Sequence, residues 1–200
     1  MTNDISHLGG FSTQENIGDN ATYHPHLWKY MIDTFKVKSL LDIGCGMGIS
    51  TKFFFDNGCK VQGIEGHPYC LENSKIKDYI FQHDYSYGES NIGGNYDLCW
   101  SCEFVEHVEE KYADNFIKDF AKSKIVLITH ATPGQGGWHH VNCQPASYWI
   151  DKLARFDLIY DENLTNETRR IANQDYREFS PDYVSHYLQK GLAFRNKNFV

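Results

Sequence analysis

The chain has 200 residues with a formal net charge of −7, and hydrophobic residues make up 41% of it. This length builds one sizeable hydrophobic core but is short for two independent folds, so we predict a single domain. An aromatic content of 15% excludes a chain that is disordered throughout. No apolar run approaches the roughly 20 residues that span a bilayer, and no signal-peptide core is present, so we predict a soluble, cytoplasmic protein that contacts no membrane. The acidic balance disfavours nucleic acid as a partner.

Apolar segments typical of strands alternate with helix-like segments along the chain. An amphipathic helix is predicted at 25–35, a first strand at 39–43 and a helix at 50–57. The elements that follow are predicted as a strand at 59–65, a helix from Pro68, strands at 79–82 and 96–100, a helix at 109–122, a strand at 124–129, a helix at 145–155, and strands at 156–160 and 191–195. This alternation predicts an α/β fold with a Rossmann-like, mostly parallel sheet and helices on both faces. The polar stretch 161–189, a helical insertion between the sixth and seventh strands, is predicted to form a lid.

A glycine loop follows the first strand, with Gly44, Gly46 and Gly48 at alternate positions. In open parallel sheets, ligands bind at the carboxyl ends of the strands, which is where this loop lies. Glycines let the backbone approach a ligand closely, and the start of the next helix attracts an anion. The spacing differs from that of dinucleotide-binding and P-loop motifs. Asp42, just before the loop, favours a cation, so the pattern favours a ligand with ammonium, sulfonium and carboxylate groups.

Two more acids follow the next two strands. Glu65 ends the second strand, 21 residues after Gly44, and this is the offset at which an acid accepts hydrogen bonds from a ribose diol. Asp84 follows the third strand and is placed to accept from an adenine amino group. Together with Asp42 and the glycine loop, these acids predict one ligand site at the sheet edge.

Segment 40–48, with Glu65, Asp84 and segment 103–108, resembles the class I S-adenosylmethionine-dependent methyltransferases. The resemblance implies a seven-stranded sheet with an antiparallel last strand, and S-adenosylmethionine as the cofactor. It also implies that Gly44 and Gly46 line the methionine end of the cofactor. The cofactor-binding residues that follow from it are Asp42, Gly44, Cys45, Gly46, Gly48, Glu65, Gly66, Asp84, Tyr85, Cys102 and Glu103.

A narrower resemblance covers segments 18–25 and 133–142, which are similar to a small bacterial and phage-type subgroup of methyltransferases. Within the single domain of residues 1–200 we distinguish three parts. They are an N-terminal cap and helix at 1–36, a cofactor-binding core at 37–130, and a substrate-side region with the lid and last strands at 131–200.

Histidines cluster in the loops expected on the cofactor side of the sheet. Methyl transfer to oxygen is an in-line displacement in which the acceptor loses a proton, and histidine is a natural base for that proton. We assign His107 and His140 as catalytic candidates. The residues assigned to the substrate are His130, Trp138, His139 and Asn142.

The first functional interpretation is O-methylation of a small polar acceptor, such as a sugar, a glycan or a nucleotide-linked metabolite, with a histidine base and no metal; an amine is the alternative acceptor group. A second follows from the Glu-x-x-Glu-His pattern of 103–107, which also resembles RNA 3′-end 2′-O-methyltransferases. That resemblance implies a divalent metal held by Glu103, Glu106, His107 and either His139 or His140. A third is a regulator that binds the cofactor without turnover. The acceptor and the oligomeric state stay open.

Overall fold

The computed structural model describes residues 5–14, 18–179 and 185–199. The strands are β1 (Ser39–Ile43), β2 (Lys60–Glu65), β3 (Ile80–Gln82), β4 (Tyr96–Ser101), β5 (Ser123–Ile128), β6 (Leu158–Tyr160) and β7 (Leu192–Asn196). The helices are α1 (Pro25–Phe35), α2 (Ile49–Asp56), α3 (Pro68–Asn73), α4 (Ala113–Phe120), α5 (Ala146–Ala154), α6 (Glu162–Phe179) and α7 (His186–Lys190).

The strands form one seven-stranded sheet in the order β3-β2-β1-β4-β5-β7-β6. Neighbours from β3 to β5 pair in parallel, whereas β7 pairs antiparallel with both β5 and β6. The predicted α/β class, the mostly parallel sheet and the antiparallel last strand are therefore confirmed. The strand order reverses between β1 and β4, and a ligand crevice is expected at their carboxyl ends.

Both faces of the sheet are covered, because side chains along a strand alternate between them. Leu41 of β1 packs in a core with residues of α4 and α5, whereas Leu40 packs in a second core with residues of α1 and α6. Both side chains are fully buried. Burial on both faces explains why β1 is an almost continuous apolar run and not an alternating one.

The predicted helix at 109–122 is shorter in the structure. A single 3-10 turn at Glu110–Tyr112 precedes α4, which begins at Ala113. The predicted sixth strand is also shorter, because Asp157 has a φ of +66° and turns the chain between α5 and β6. Both differences lie at element ends, where local patterns are least informative.

Helix α6 corrects the prediction of a lid. Its residues Leu164 and Ile171 are buried in the second core, and it packs against α1 and β7. Asp175 is buried and accepts hydrogen bonds from the backbone N–H groups of His26 and Leu27. These bonds satisfy amide groups of the first turn of α1, which have no partner within that helix. Helix α6 is therefore a core helix; residues 180–184 of the predicted lid lie outside the described residues.

Within the described part of the chain, no helix is both long and apolar enough to cross a membrane.

Candidate active site

A pocket opens at the carboxyl ends of β1, β2 and β4, where the strand order reverses. Ten of the eleven residues assigned to the cofactor line it: Asp42, Gly44, Cys45, Gly46, Glu65, Gly66, Asp84, Tyr85, Cys102 and Glu103. No sequence pattern marked several other parts of the wall, among them segment 7–12, Asp19, Thr22, Trp28 and Trp100. The predicted acids thus meet at one edge of the sheet, as the positions of the strand ends require.

The glycine loop needs glycine for two different reasons. Gly44 has a φ of +71°, and a Cβ there would lie 2.4 Å from Cδ2 of Phe104, so packing excludes a side chain. Gly46 has a φ of +54°, but the nearest atom to its Cβ position is Cβ of Phe11 at 3.9 Å. Gly46 therefore leaves open space beside its backbone, in the wall of the pocket.

Gly48 is the one residue of the assigned set that does not line the pocket. It is the N-cap of α2, with a φ of +76°, and a Cβ there would lie 2.7 Å from Cγ2 of Ile76. The contact of Gly48 with the cofactor stays a prediction, since Gly48 lies outside the wall of this pocket. The glycine is required by the turn and by packing behind the loop.

We expect Gly46→Val to weaken ligand binding in this pocket by about tenfold or more, because a β-branched side chain at this φ is strained by about 1–3 kcal/mol and also enters the pocket. Calorimetry with S-adenosylmethionine measures the change. Gly58→Val is the matched control, since Gly58 also has a positive φ of +83° but ends α2 with no atom within 4 Å of its Cβ position. Equal affinities of the two folded variants would contradict a role for the Gly46 face.

The Glu65 carboxylate ties the glycine loop to the end of β2. It accepts hydrogen bonds from the backbone N–H groups of Gly46 and His67, each at 2.9 Å. Burial raises the pKa of Glu65, while these backbone donors act against that shift. The loop conformation therefore depends directly on this side chain.

Asp42 is buried below the same loop. Its Oδ2 accepts hydrogen bonds from Oγ of Ser50 at 2.6 Å and from Oγ1 of Thr51 at 2.7 Å. Burial raises the pKa of Asp42 to about 6, although both hydroxyl donors lower it. Asp42 thus fastens the first turn of α2 to the end of β1.

Asp84 is already engaged by two donors. Its Oδ1 accepts from the N–H of Ser86, and its Oδ2 lies 2.9 Å from Nε2 of His7. Tyr85 lines the pocket, but its hydroxyl donates to Asp119 in the core. The phenol group of Tyr85 is therefore directed into the core.

Glu103 lies at the end of β4 with a left-handed φ of +52°, which is uncommon for a residue other than glycine and is often found at functional sites. Its Oε1 accepts a hydrogen bond from Oγ1 of Thr129 at 2.8 Å. Its Oε2 lies 3.2 Å from Nδ1 of His186 on α7. Thr129 and His186 are far from Glu103 in sequence, and no local motif marks them.

The two catalytic candidates face each other. The rings of His107 and His140 are 4.9 Å apart at nearly a right angle, and His107 lines the pocket. Burial and the neighbouring His140 lower the pKa of His107 to about 4, which keeps the imidazole neutral near pH 7.

A buried carboxyl group lies beside these histidines. Glu106 is fully buried, and neither carboxyl oxygen has a hydrogen-bond partner among the described residues. Burial, followed by the neighbouring Glu103, raises the pKa of Glu106 well above its usual range. Ligand atoms of Glu106, His107 and His140 lie within 4.8 Å of one another, so these side chains could hold a metal ion.

The residues assigned to the substrate separate into two groups. His139 lines the pocket, and Trp138 is 60% exposed with its indole against Gly9. By contrast, His130 and Asn142 are buried outside the pocket wall. Nδ1 of His130 is 3.1 Å from the carbonyl oxygen of Gln144 and donates to it, which gives this histidine a structural role. Contact of His130 and Asn142 with the substrate stays a prediction, since both lie outside the wall of this pocket.

Comparison with known proteins supports the fold and the class. Residues 41–123 match a family model described as a methyltransferase domain. A probable chloroplastic tocopherol O-methyltransferase of Oryza sativa subsp. japonica is 26% identical over 125 residues, which cover 56% of this chain and 32% of that protein. The chain thus spans about a third of the length of this relative.

Solved structures share the architecture. A TehB-like S-adenosylmethionine-dependent methyltransferase from Corynebacterium glutamicum superposes with a TM-score of 0.60 at 16% identity, over 86% of this chain and 88% of that one. The methyltransferase domain of bacterial CtHen1-C superposes with a TM-score of 0.54 at 18% identity, over 71% and 87% of the two chains. At these identities the likeness shows the fold alone.

The sheet order and the matched domain agree with the class that the sequence predicted. The family model over residues 41–123 and the shared fold support the predicted resemblance to the class I S-adenosylmethionine-dependent methyltransferases. S-adenosylmethionine is the methyl donor of this class, which agrees with the predicted cofactor.

Proposed function

We propose that this protein transfers the methyl group of S-adenosylmethionine to a hydroxyl group of a small polar acceptor, such as a sugar, a glycan or a nucleotide-linked metabolite, with His107 as the base. The observation that carries the proposal is the position of His107 in the wall of the pocket that Gly46 and Glu65 also line. The base and the cofactor loop thus face one cavity. The rice relative is named as an O-methyltransferase, which supports oxygen as the acceptor atom.

The charge of the pocket suits this cofactor. S-adenosylmethionine carries a sulfonium and an ammonium group, and six acids line the cavity: Asp19, Asp42, Glu65, Asp84, Glu103 and Glu109. Glu65 would accept hydrogen bonds from the ribose hydroxyls, and Asp84 one from the adenine amino group. The methionine end would lie along Gly44 and Gly46, and the open face of Gly46 permits close contact.

The protein has two tasks in this reaction. It positions the acceptor oxygen beside the methyl group, and it removes one proton from the acceptor hydroxyl. The acceptor oxygen attacks the methyl carbon, the carbon–sulfur bond breaks, and its electron pair stays on sulfur to give S-adenosylhomocysteine. The hydroxyl proton passes to the neutral imidazole of His107. His139 lines the same pocket, His140 packs against the ring of His107, and the exposed Trp138 would offer a platform for a ring of the acceptor.

The proposal is tested by calorimetry with S-adenosylmethionine, S-adenosylhomocysteine and NAD in parallel, followed by a screen of hydroxyl acceptors for formation of S-adenosylhomocysteine. We expect the two sulfur ligands to bind, NAD not to bind, and turnover with a polar hydroxyl compound. Absence of binding by both sulfur ligands would remove the cofactor assignment. Binding without turnover on any acceptor would support the non-catalytic regulator.

A second candidate function is a metal-dependent RNA 2′-O-methyltransferase. The observation that favours it is the cluster of Glu106, His107 and His140, whose nitrogen and oxygen ligand atoms suit manganese or a similar ion. Two observations favour the first candidate. The carboxylate of Glu103, a ligand in the metal interpretation, contacts Thr129 and His186 instead. The net charge of −7 disfavours RNA as a partner. In the second candidate the metal would orient the ribose hydroxyl of the RNA terminus.

Chelation separates the two candidates. We expect turnover to survive treatment with EDTA, because the first candidate needs no metal, and we expect no stoichiometric binding of Mn²⁺ by calorimetry. Loss of turnover on chelation, with recovery on Mn²⁺ addition, would replace it by the second candidate. In that case Mn²⁺ binding should be lost in His140→Ala and kept in His139→Ala, since His139 lies outside the cluster.

A further inference from the structure

Part of the pocket wall is a segment that no sequence motif marked. We call residues 5–14 the N-terminal strap. Every strap residue from His7 to Ser12 lines the pocket, together with residues at the ends of β1, β2 and β4. The strap therefore lies along the cavity and is part of its wall.

One end of the strap is fastened where the adenine would bind. Nε2 of His7 lies 2.9 Å from Oδ2 of Asp84. The next residue, Leu8, fills the space beside Gly66, where a Cβ would lie only 2.8 Å from Cδ2 of Leu8. The strap thus contacts the ends of both β2 and β3.

The next two residues of the strap lie against Trp138 and His107 at the acceptor end. A Cβ on Gly9 would lie 2.1 Å from Nε1 of Trp138, and one on Gly10 would lie 3.2 Å from Cε1 of His107. Gly10 also has a φ of +92°, which strains other residues. The Gly9–Gly10 pair therefore lets the backbone lie directly against the proposed base.

The following residue anchors the strap above the glycine loop. The ring of Phe11 lies 4.7 Å from that of His67 and stacks at 5.6 Å on that of Tyr69. Phe11 is also the nearest neighbour of the open face of Gly46. One short segment thus touches the glycine loop, the adenine end and the acceptor end.

We propose that the strap is a lid that must lift for cofactor exchange, and that the contact between His7 and Asp84 is the latch that holds it closed. This inference rests on the proposed function, because it takes S-adenosylmethionine as the occupant of the pocket. Residues 7–12 of the strap form part of the wall around the occupant, so on this proposal entry and exit both require the latch to open. His7 is accordingly a positioning residue that acts through Asp84.

The same lid closes the acceptor end. Lifting the strap removes Gly10 from His107 and Gly9 from Trp138, and closure restores both contacts. Closure over the cofactor therefore also completes the wall around the base. The same opening of the strap therefore releases S-adenosylhomocysteine and exposes His107 to solvent.

Stopped-flow tryptophan fluorescence tests the latch, because Trp28 and Trp100 line the pocket and Trp138 contacts the strap. The rates of association and dissociation are measured with S-adenosylmethionine and with S-adenosylhomocysteine. In His7→Ala we expect both rates to rise about tenfold, the effect of losing one hydrogen bond to a charged group. Because the latch opposes entry and exit equally, the dissociation constant should change much less, by about threefold at most.

His26→Ala is the matched control. His26 also contacts a carboxylate, with Nδ1 2.8 Å from Oδ1 of Asp175, but this pair lies outside the pocket wall. We expect its exchange rates to match those of the unmodified protein. Circular dichroism verifies that both variants are folded.

Gly10→Ala supplies a second variant, because an added Cβ is strained at this φ and meets His107. It should open the strap by itself, so the double variant with His7→Ala should exchange no faster than Gly10→Ala alone. A rise in only one of the two rates on loss of His7, or no change in either, would overturn the latch. Failure of the unmodified protein to bind either ligand would instead overturn the proposed function.

Discussion

The substitution Glu65→Ala is expected to weaken the binding of S-adenosylmethionine by about 10- to 100-fold, which corresponds to the loss of hydrogen bonds to a charged group. Two losses combine in this change. The proposed acceptor for the ribose hydroxyls disappears, and the N–H groups of Gly46 and His67 lose the carboxylate that holds them. Calorimetry with S-adenosylmethionine and S-adenosylhomocysteine measures the effect, which should be similar for both because they share the ribose.

Two controls separate these contributions. Glu65→Gln keeps the shape and one acceptor oxygen, but that oxygen cannot serve both N–H groups and the ribose, so an intermediate affinity is expected. Glu72→Ala removes an exposed acid of α3 and should leave binding unchanged. An unchanged dissociation constant in folded Glu65→Ala would remove Glu65 from the cofactor site.

The sheet was predictable because its signals are local. Strands such as 39–43 are short apolar runs, and the alternation with helices leaves few topologies for a parallel sheet. The acids at the strand ends were predictable for the same reason, since the carboxyl ends of parallel strands share one edge. Asp42, Glu65 and Asp84 accordingly line one pocket.

Helix α6 was misinterpreted because its average composition is polar. Leu164, Thr168, Ile171 and Asp175 recur at intervals of three and four residues, and all are buried. The stripe includes a threonine and an aspartate, so an apolar count does not detect it. Asp175 is buried because it caps α1, a partner 148 residues away that no local pattern reveals.

The side-chain partners within the site also could not be predicted from the sequence. Glu103 is held by Thr129 and His186, and Asp84 by His7, and in each pair the partners are far apart in the chain. Such contacts depend on the packed fold and carry no spacing rule. The only local pattern in the strap is the Gly9–Gly10 pair. Adjacent glycines indicate that the backbone lies close to another part of the molecule, but they do not indicate which residues it contacts.

The largest expected effect is on turnover by His107→Ala. With an acceptor from the screen, we expect kcat to fall by about 10²- to 10⁴-fold, the usual contribution of a positioned base. The dissociation constant of S-adenosylmethionine should change by no more than about threefold, because the base acts on the acceptor proton. Added imidazole should restore part of the lost rate, which loss of a purely structural histidine would not allow.

The neighbouring histidines give the internal comparison. His139→Ala should lower kcat much less than His107→Ala, because His139 lies in the pocket wall but outside the pair formed by His107 and His140. His140→Ala should fall between them, since its ring packs against that of His107 and orients it. Equal losses of kcat and cofactor affinity in His107→Ala would indicate that this histidine supports the pocket and that the base is another group.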